Sequence, residues 1–174
     1  MANPVAKEMT FDTSKSSDQA GACREFWMRF PGLRGASDQD AGGNDVIYYL
    51  ENPYQKDLVV LTALAVITAL DAQDGDIDVG LMDGAAGTNL GAEIFDSIVN
   101  SAAGVFEGTV AQAVAGTGAK CIWKAKGNAT DAFIGIVQNG DVDASDLRWN
   151  LLLKVIPYDD LINTNVDVGA IAVA

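Results

Sequence analysis

The last third of the chain contains a segment in which large apolar residues occupy every second position. Within LRWNLLLKVI, residues 147–156, these positions hold Leu147, Trp149, Leu151, Leu153 and Val155. Successive side chains of a β-strand point to opposite faces of the sheet, so the pattern predicts a strand with one buried face. Pro157 closes this strand, because proline cannot donate to the hydrogen-bond ladder. A chain with such a strand needs a second layer that covers the apolar face.

Other segments of the chain have the composition or the alternation of strands. They are residues 45–50, 76–82, 119–126 and 132–138. Turns rich in glycine, asparagine and aspartate separate them. Short strands between such turns predict a mainly β fold, with an antiparallel β-sandwich or jelly-roll-like body over residues 46–160.

Residues 119–126 show the alternation of a half-buried strand. One face holds Cys121 and Trp123. The other face holds Lys120, Lys124 and Lys126. This pattern is typical of antiparallel sheets with one solvated face, so we predict that Trp123 and Trp149 both belong to the core. The three lysines form either a solvated face or a contact with an acidic partner.

Residues 58–70, LVVLTALAVITAL, are apolar at almost every position. The spacing of apolar residues alone does not distinguish a strand from a buried helix in such a run. The many β-branched residues favour a long strand with a bulge, and a buried helix is the alternative. As a strand, the segment carries Ala63, Ala65 and Ala69 on a second face, which needs a cover from either the N-terminal residues or another subunit.

Aspartates cluster between residues 70 and 84. Asp74-Gly75 lies between the apolar run and the alternating segment 76–82, and Asp-Gly is a strong hairpin signal. The sequence therefore predicts strand, tight turn and strand. Asp76 and Asp78 then occupy the solvent face of the second strand.

The same aspartates raise the question of a calcium site. Their spacing resembles the start of an EF-hand loop, but the sixth and twelfth positions are Val79 and Ala85 instead of glycine and glutamate. We therefore predict no metal here. A looser surface calcium site and a pair of catalytic carboxylates are the alternatives, although alternate residues of one strand do not face each other across a substrate.

The glycine- and alanine-rich residues 83–118 are harder to interpret. Ile94, Phe95, Ile98 and Val99 have helical spacing. They predict one short helix within residues 91–100. Residues 104–115 fit either a strand or a loop.

Both ends of the chain differ from the body. Residues 1–45 have few aliphatic residues and no sustained periodicity, which predicts an extended N-terminal arm. Residues 161–174 are a tail that forms either a second arm or an added edge strand. The arm contains one aromatic cluster, and its predicted partner contacts are Phe26, Trp27, Arg29 and Phe30. These residues either fold back onto the body or anchor a partner, since aromatic residues and arginine are enriched in binding hot spots.

Composition limits the chemistry of the chain. There is no histidine, which removes the usual general base, the Ser-His and Cys-His nucleophiles and most zinc sites. Cys23 and Cys121 are far apart in sequence, and we expect two reduced thiols, although a pairing is open. Residues 116–120 lack the spacing of a phosphate loop. We predict a protein that is not an enzyme and binds no cofactor or metal.

The charge and hydropathy of the chain also limit its partners. A net charge of −13 disfavours nucleic acid, because phosphate contacts need clustered lysine and arginine. The opening residues have no apolar signal region, and the run 58–70 is shorter than the roughly 20 residues that span a bilayer. We therefore expect synthesis in the cytoplasm and no membrane partner.

Over roughly residues 58–160 the chain resembles the small β-sandwich or jelly-roll virion proteins of tailed bacteriophages, in particular capsid decoration (cement) proteins. The resemblance rests on the succession of DIDVG, AGVF, AKCIWKAK, FIGIVQ and LRWNLLLKVIPY. It implies a non-catalytic protein that trimerises and binds the major capsid protein lattice on the outside of the virion, often through terminal arms. The alternatives are a phage tail or fibre component, a carbohydrate-binding β-sandwich and a small carboxylate-dependent enzyme.

Overall fold

The computed structural model describes residues 7–8, 25–36, 44–71, 76–85, 91–99, 103–108, 121–139 and 143–159. This part of the chain is mainly β. Its strands are β1 Lys7–Glu8, β2 Phe26–Arg34, β3 Asn44–Glu51, β4 Leu58–Ala69, β5 Asp76–Met82, β6 Phe95–Val99, β7 Gly104–Glu107, β8 Ile122–Trp123, β9 Phe133–Asn139 and β10 Arg148–Pro157.

The strands form two sheets. Sheet I has the order β1-β3-β9-β5-β6, and sheet II has the order β2-β10-β4-β7, with β8 also paired to β4. The described pairings are antiparallel apart from β1 beside β3. This confirms the predicted mainly β fold with an antiparallel, sandwich-like arrangement.

The core consists of the inward side chains of both sheets. Sheet I contributes Ile134 and Ile136 of β9, and sheet II contributes Leu151 and Leu153 of β10. The two largest fully buried side chains are Trp123 and Trp149, which confirms their predicted place in the core. Burial of each such side chain stabilises the fold by about 1.5–3 kcal/mol or more, because its apolar surface leaves water.

Strand β10 matches the expectation from its sequence. All five alternate apolar positions from Leu147 to Val155 are buried, and the residues between them on the strand are half-buried. The strand pairs with β2 on one side and with β4 on the other. A central strand of this kind needs unbroken alternation, because its inner face is covered along its whole length.

Residues 58–69 form a strand, so the helix alternative is wrong. The register with β10 shifts twice, leaving Leu61 and Thr68 as the extra residues of the predicted kind of bulge. Ala63 and Ala65 lie in the core, whereas Ala69 is half-buried and pairs with Arg148. The expectation that the alanine face needs a separate cover is therefore wrong, because sheet I covers it.

The extended-arm assignment is wrong for residues 26–34, which form edge strand β2 of sheet II. Their alternation is interrupted once. Phe30 pairs with Leu151 and Leu33 with Trp149, so β2 has one residue more than β10 at this point. Gly32 accommodates the bulge with φ of +70°, and its N–H donates to Asn150 Oδ1 at 3.0 Å.

The short helix predicted within residues 91–100 is also wrong, because Phe95–Val99 form strand β6 beside β5. Phe95 pairs with Val79 and Ile98 with Ile77, so β6 likewise has an extra residue. Ser97 has φ of +57° at this bulge. The open choice for residues 104–115 is resolved for Gly104–Glu107, which form β7.

The hairpin predicted around Asp74-Gly75 does not form as such. Strand β4 belongs to sheet II and pairs with β10, whereas β5 belongs to sheet I and pairs with β9. The connection therefore crosses between the sheets. Both flanking strands were predicted, but a local turn signal does not specify which strands pair.

Several predictions fall outside the described residues. They concern residues 9–24 and 37–43 of the arm, the Asp74-Gly75 turn itself, residues 109–120 with Lys120 and the compared phosphate loop, Cys23, and the tail 161–174.

Candidate contact face of sheet II

The outward side chains of sheet II form a broad surface, which we call the contact face. Its members are Trp27, Arg29 and Arg34 of β2, Arg148, Asn150, Leu152 and Lys154 of β10, Thr62, Leu64 and Val66 of β4, and Val105 and Glu107 of β7. All of them are exposed or half-buried. Their positions follow from the period of two, because the inward neighbours of each are in the core.

The strand register arranges the contact face in rows across the sheet. One row runs Arg29, Leu152, Leu64 and Glu107. A second row runs Trp27, Lys154 and Thr62, and a third runs Asn150, Val66 and Val105. Cations therefore lie on the β2 and β10 side, while aliphatic side chains lie towards β4 and β7.

Two large apolar side chains are strongly exposed on this face. Trp27 is 43% exposed and Val105 is 65% exposed. They lie on the opposite strands β2 and β7, and the half-buried aliphatic side chains of Leu152, Leu64 and Val66 lie between them. Together these side chains give the sheet an apolar surface with charged residues beside it, which is typical of interaction sites. The contact face is therefore the described surface best suited to bind a partner.

The cations of the contact face differ in how they are held. Lys154 Nζ lies 2.6 Å from Glu25 Oε1. Arg148 Nη1 donates to the carbonyl oxygens of Ser145 and Leu147. Within the described ranges, Arg29 and Arg34 have no carboxylate within salt-bridge distance, so their charges are available to a partner.

The structure separates the four predicted partner contacts. Trp27 and Arg29 are exposed on the contact face, and Phe26 is half-buried with its ring edge-on to Tyr54 at 5.7 Å. Phe30 is 0% exposed and lies in the core. This corrects the expectation for Phe30, because alternation along β2 turns its ring inward.

Sequence analysis missed most of the contact face. Arg148, Leu152 and Lys154 are the outer positions of the alternating segment 147–156, and the alternation predicts only the buried positions between them. Arg34 was hidden, because the bulge in β2 shifts the alternation before it. Val105 lay in a segment whose structure the pattern did not decide.

Part of the outer face of sheet I is covered. Met82 and Val137 point outward from the core, yet they are 0% and 1% exposed. At Gly80 an added Cβ would lie 1.7 Å from the carbonyl oxygen of Gly91, so the residues before β6 lie directly against this strand. Gly91 N also donates to Leu81 O at 2.9 Å.

Asp78 of β5 serves the structure of sheet I. Asp78 Oδ1 accepts a hydrogen bond from Ser97 N at 2.7 Å, and Asp78 Oδ2 accepts one from Asn139 Nδ2 at 2.6 Å. Asp76 and Asp78 are half-buried instead of fully solvated. In the part of the chain that the structure describes, no group of three potential metal ligands is present.

Lys124 is not part of a solvated lysine row. Its Nζ lies 2.9 Å from Asp57 Oδ2, and Asp57 Oδ1 accepts a hydrogen bond from Ala125 N at 2.8 Å. Partial burial acts to raise the pKa of Asp57, but the hydrogen bonds from Lys124 and Ala125 and the Lys124 charge outweigh it and lower that pKa. The pair fastens the segment after β8 to the start of β4.

Two further groups with shifted pKa values lie near the end of β5. Burial, followed by the charges of Glu93 and Asp131, raises the pKa of the Cys121 thiol far above its ordinary range. This thiol is therefore neutral and a poor nucleophile. Partial burial and the nearby charge of Asp83 raise the pKa of Asp131, while Lys124 opposes the shift. Asp131 N donates to Asp83 Oδ1 at 3.0 Å, so the two residues are tied through the backbone.

Comparison of the chain with protein-family models, with curated proteins and with solved structures finds no match. Among the described residues there is no helix with the length and hydropathy to cross a membrane.

Proposed function

We propose that this chain is a non-catalytic structural protein that attaches to the outer surface of a phage capsid lattice and stabilises it. The observation that carries the proposal is the contact face, on which the exposed Trp27 ring lies in the strand next to Lys154 and two positions from Arg29. Tryptophan and arginine dominate binding hot spots. A sheet surface with such residues favours a broad contact, whereas substrates and small ligands bind in concave pockets.

The dimensions of the contact face favour attachment in several copies. Three strand spacings of about 4.8 Å give a width of roughly 14 Å, and the seven steps from Trp27 to Arg34 give a length of roughly 23 Å. The resulting flat area between the outermost backbones is roughly 300 Å², before the relief of the side chains is added, and a standard interface takes roughly 800 Å² of accessible surface from each partner. Copies linked in an oligomer, such as a trimer, gain avidity because each further contact forms at a high effective concentration.

The test is co-sedimentation of the purified chain with heads of a phage that encodes it, prepared without the chain. We expect saturable binding, and Trp27→Ala should weaken it while the circular dichroism spectrum stays that of the wild type. The matched control is Tyr49→Ala, which removes a half-buried ring from sheet I. A chain that does not pellet with heads, or that binds tails or polysaccharide instead, contradicts the proposal.

Deletions from the N-terminus also remove strands of the two sheets. Removing residues 1–24 leaves β2 intact but takes away the two-residue strand β1 at the edge of sheet I, whereas removing residues 1–40 also deletes edge strand β2 of sheet II. The shorter deletion therefore measures what the residues before β2 contribute to binding. The longer deletion tests folding as well as binding.

A further inference from the structure

The distribution of charge on the chain is uneven. Acids outnumber cations by 24 to 11 in the whole sequence. Yet every arginine of the described ranges lies on the contact face, at positions 29, 34 and 148, and Lys154 lies beside them. The carboxylates of the face are at its margins, with Glu107 on β7 and Glu25 just before β2.

From this distribution, and resting on the proposed function, we propose that the contact face binds an acidic protein surface with an aliphatic strip beside the acids. The acids would lie opposite Arg29 and Arg34, and the aliphatic strip opposite Leu64, Leu152 and Val66. Complementary charges fix orientation and accelerate encounter more than they add affinity. For a chain with a net charge of −13, this face is the one that an acidic lattice attracts while the rest of the surface is repelled.

A second copy of the chain fits this face less well. A two-fold symmetric contact places the same patch on both sides. Arg34 and Arg148 pair across β2 and β10, so a two-fold axis that passes near this pair would bring four arginines together without carboxylates between them. Like charges opposed across an interface cost several kcal/mol.

Nucleic acid also fits less well. Single-stranded chains bind to grooves in which several aromatic rings stack on successive bases. The contact face has one strongly exposed ring, Trp27, and its centre is aliphatic. The net charge of the chain adds long-range repulsion of phosphates.

The experiment compares two double charge reversals with the same change in net charge. The face variant is Arg29→Glu with Arg34→Glu. The control is Lys56→Glu with Lys126→Glu, because both lysines are exposed and lie in loops outside sheet II. Each protein is pelleted with phage heads at about 50 mM and about 500 mM NaCl, since a Debye length of about 14 Å at the lower concentration falls to about 4 Å at the higher one. Thermal unfolding checks that both variants fold.

We expect the apparent affinity of the wild type to fall about tenfold between the lower and the higher salt concentration. At the lower concentration, the face variant should bind about tenfold or more weakly than the wild type, and the control should stay within about twofold of the wild type.

Equal losses in both variants would show that net charge acts instead of the face, which overturns the inference. Salt-independent binding that the face variant retains also overturns it, but leaves the proposed function intact. If the wild type pellets at neither salt concentration, the proposed function itself fails. Saturable binding of the wild type to single-stranded DNA, lost in the face variant, would assign the face to nucleic acid.

Discussion

The outer faces of the two sheets are built from the same kind of strand and yet differ in what they offer to other molecules. On sheet I, Met82 and Val137 point away from the core and are nevertheless fully covered, and the backbone of Gly91 lies against Gly80. On sheet II, Trp27 remains exposed on β2 beside the arginines, and Val105 remains exposed on β7 at the aliphatic side. The difference shows that outward position on a strand does not by itself make a surface available.

The largest expected effect separates the two faces of sheet II itself. Trp149 is buried on the inner side, and Trp27 lies on the outer side of the neighbouring strand. We expect Trp149→Ala to lower the free energy of unfolding by about 3–5 kcal/mol, because it removes a large buried side chain and leaves a cavity. Trp27→Ala should lower it by less than about 1 kcal/mol. Urea unfolding measures both, and a wild-type midpoint for Trp149→Ala would break the register described for β10.

A smaller effect tests the closure of sheet I. In Gly80→Ala the new Cβ would lie 1.7 Å from the carbonyl oxygen of Gly91, so one segment has to move. We expect a loss of about 1–3 kcal/mol in the free energy of unfolding, the range for overpacking. Gly84→Ala is the matched control, since nothing lies within 4 Å of its added Cβ and its φ needs no glycine. If the two variants unfold alike, the cover of sheet I is looser than the distances require.

The smallest effect concerns the acids near sheet I. Burial and the charge of Asp83 raise the pKa of Asp131 above 3.8, so the folded protein favours the protonated carboxyl. The stability that this preference contributes is fully present below pH 3.8 and is lost as the pH rises through the folded pKa. Asp131→Asn removes this loss, and asparagine also tolerates the φ of +52° at this position. At pH 7 we expect a gain of a few tenths of a kcal/mol, reduced by solvent screening.

Measuring the unfolding midpoint of Asp131→Asn at several pH values checks the sign. The gain over the wild type should shrink as the pH falls from 7 towards 4. A gain that is constant with pH would come from the backbone conformation alone, and a loss at pH 7 would mean that the attraction of Lys124 outweighs the repulsion of Asp83.

The elements that sequence analysis found and those that it missed differ in one physical respect. Strand β10 alternates without interruption, and its buried face was predicted residue by residue. In β2 and β6 a bulge places two inward residues three apart, Phe30 and Leu33 in one strand and Phe95 and Ile98 in the other. Three-residue spacing is also the spacing of a helix face, so one segment was interpreted as a helix and the other as irregular.

The contact face was predictable only in part for the same reason. Trp27 and Arg29 stood out by residue type, but their neighbours on the face come from β4, β7 and β10, which are distant in sequence. Which strands lie side by side is set by long-range pairing, and the Asp74-Gly75 signal favoured the wrong pair. The approach of Gly91 to Gly80 likewise leaves no mark in the alternation of β5.

The bulge in β2 has a consequence for how crowded copies behave. The open edge of a sheet presents unpaired backbone groups that recruit strands from other molecules, and this is a route to aggregation. On β2 that edge is interrupted by Pro31, which has no N–H to offer, and by Gly32, whose N–H is already bound to Asn150. Copies at high local concentration therefore find no continuous backbone template along β2. Addition of a further strand at this edge of sheet II is therefore disfavoured.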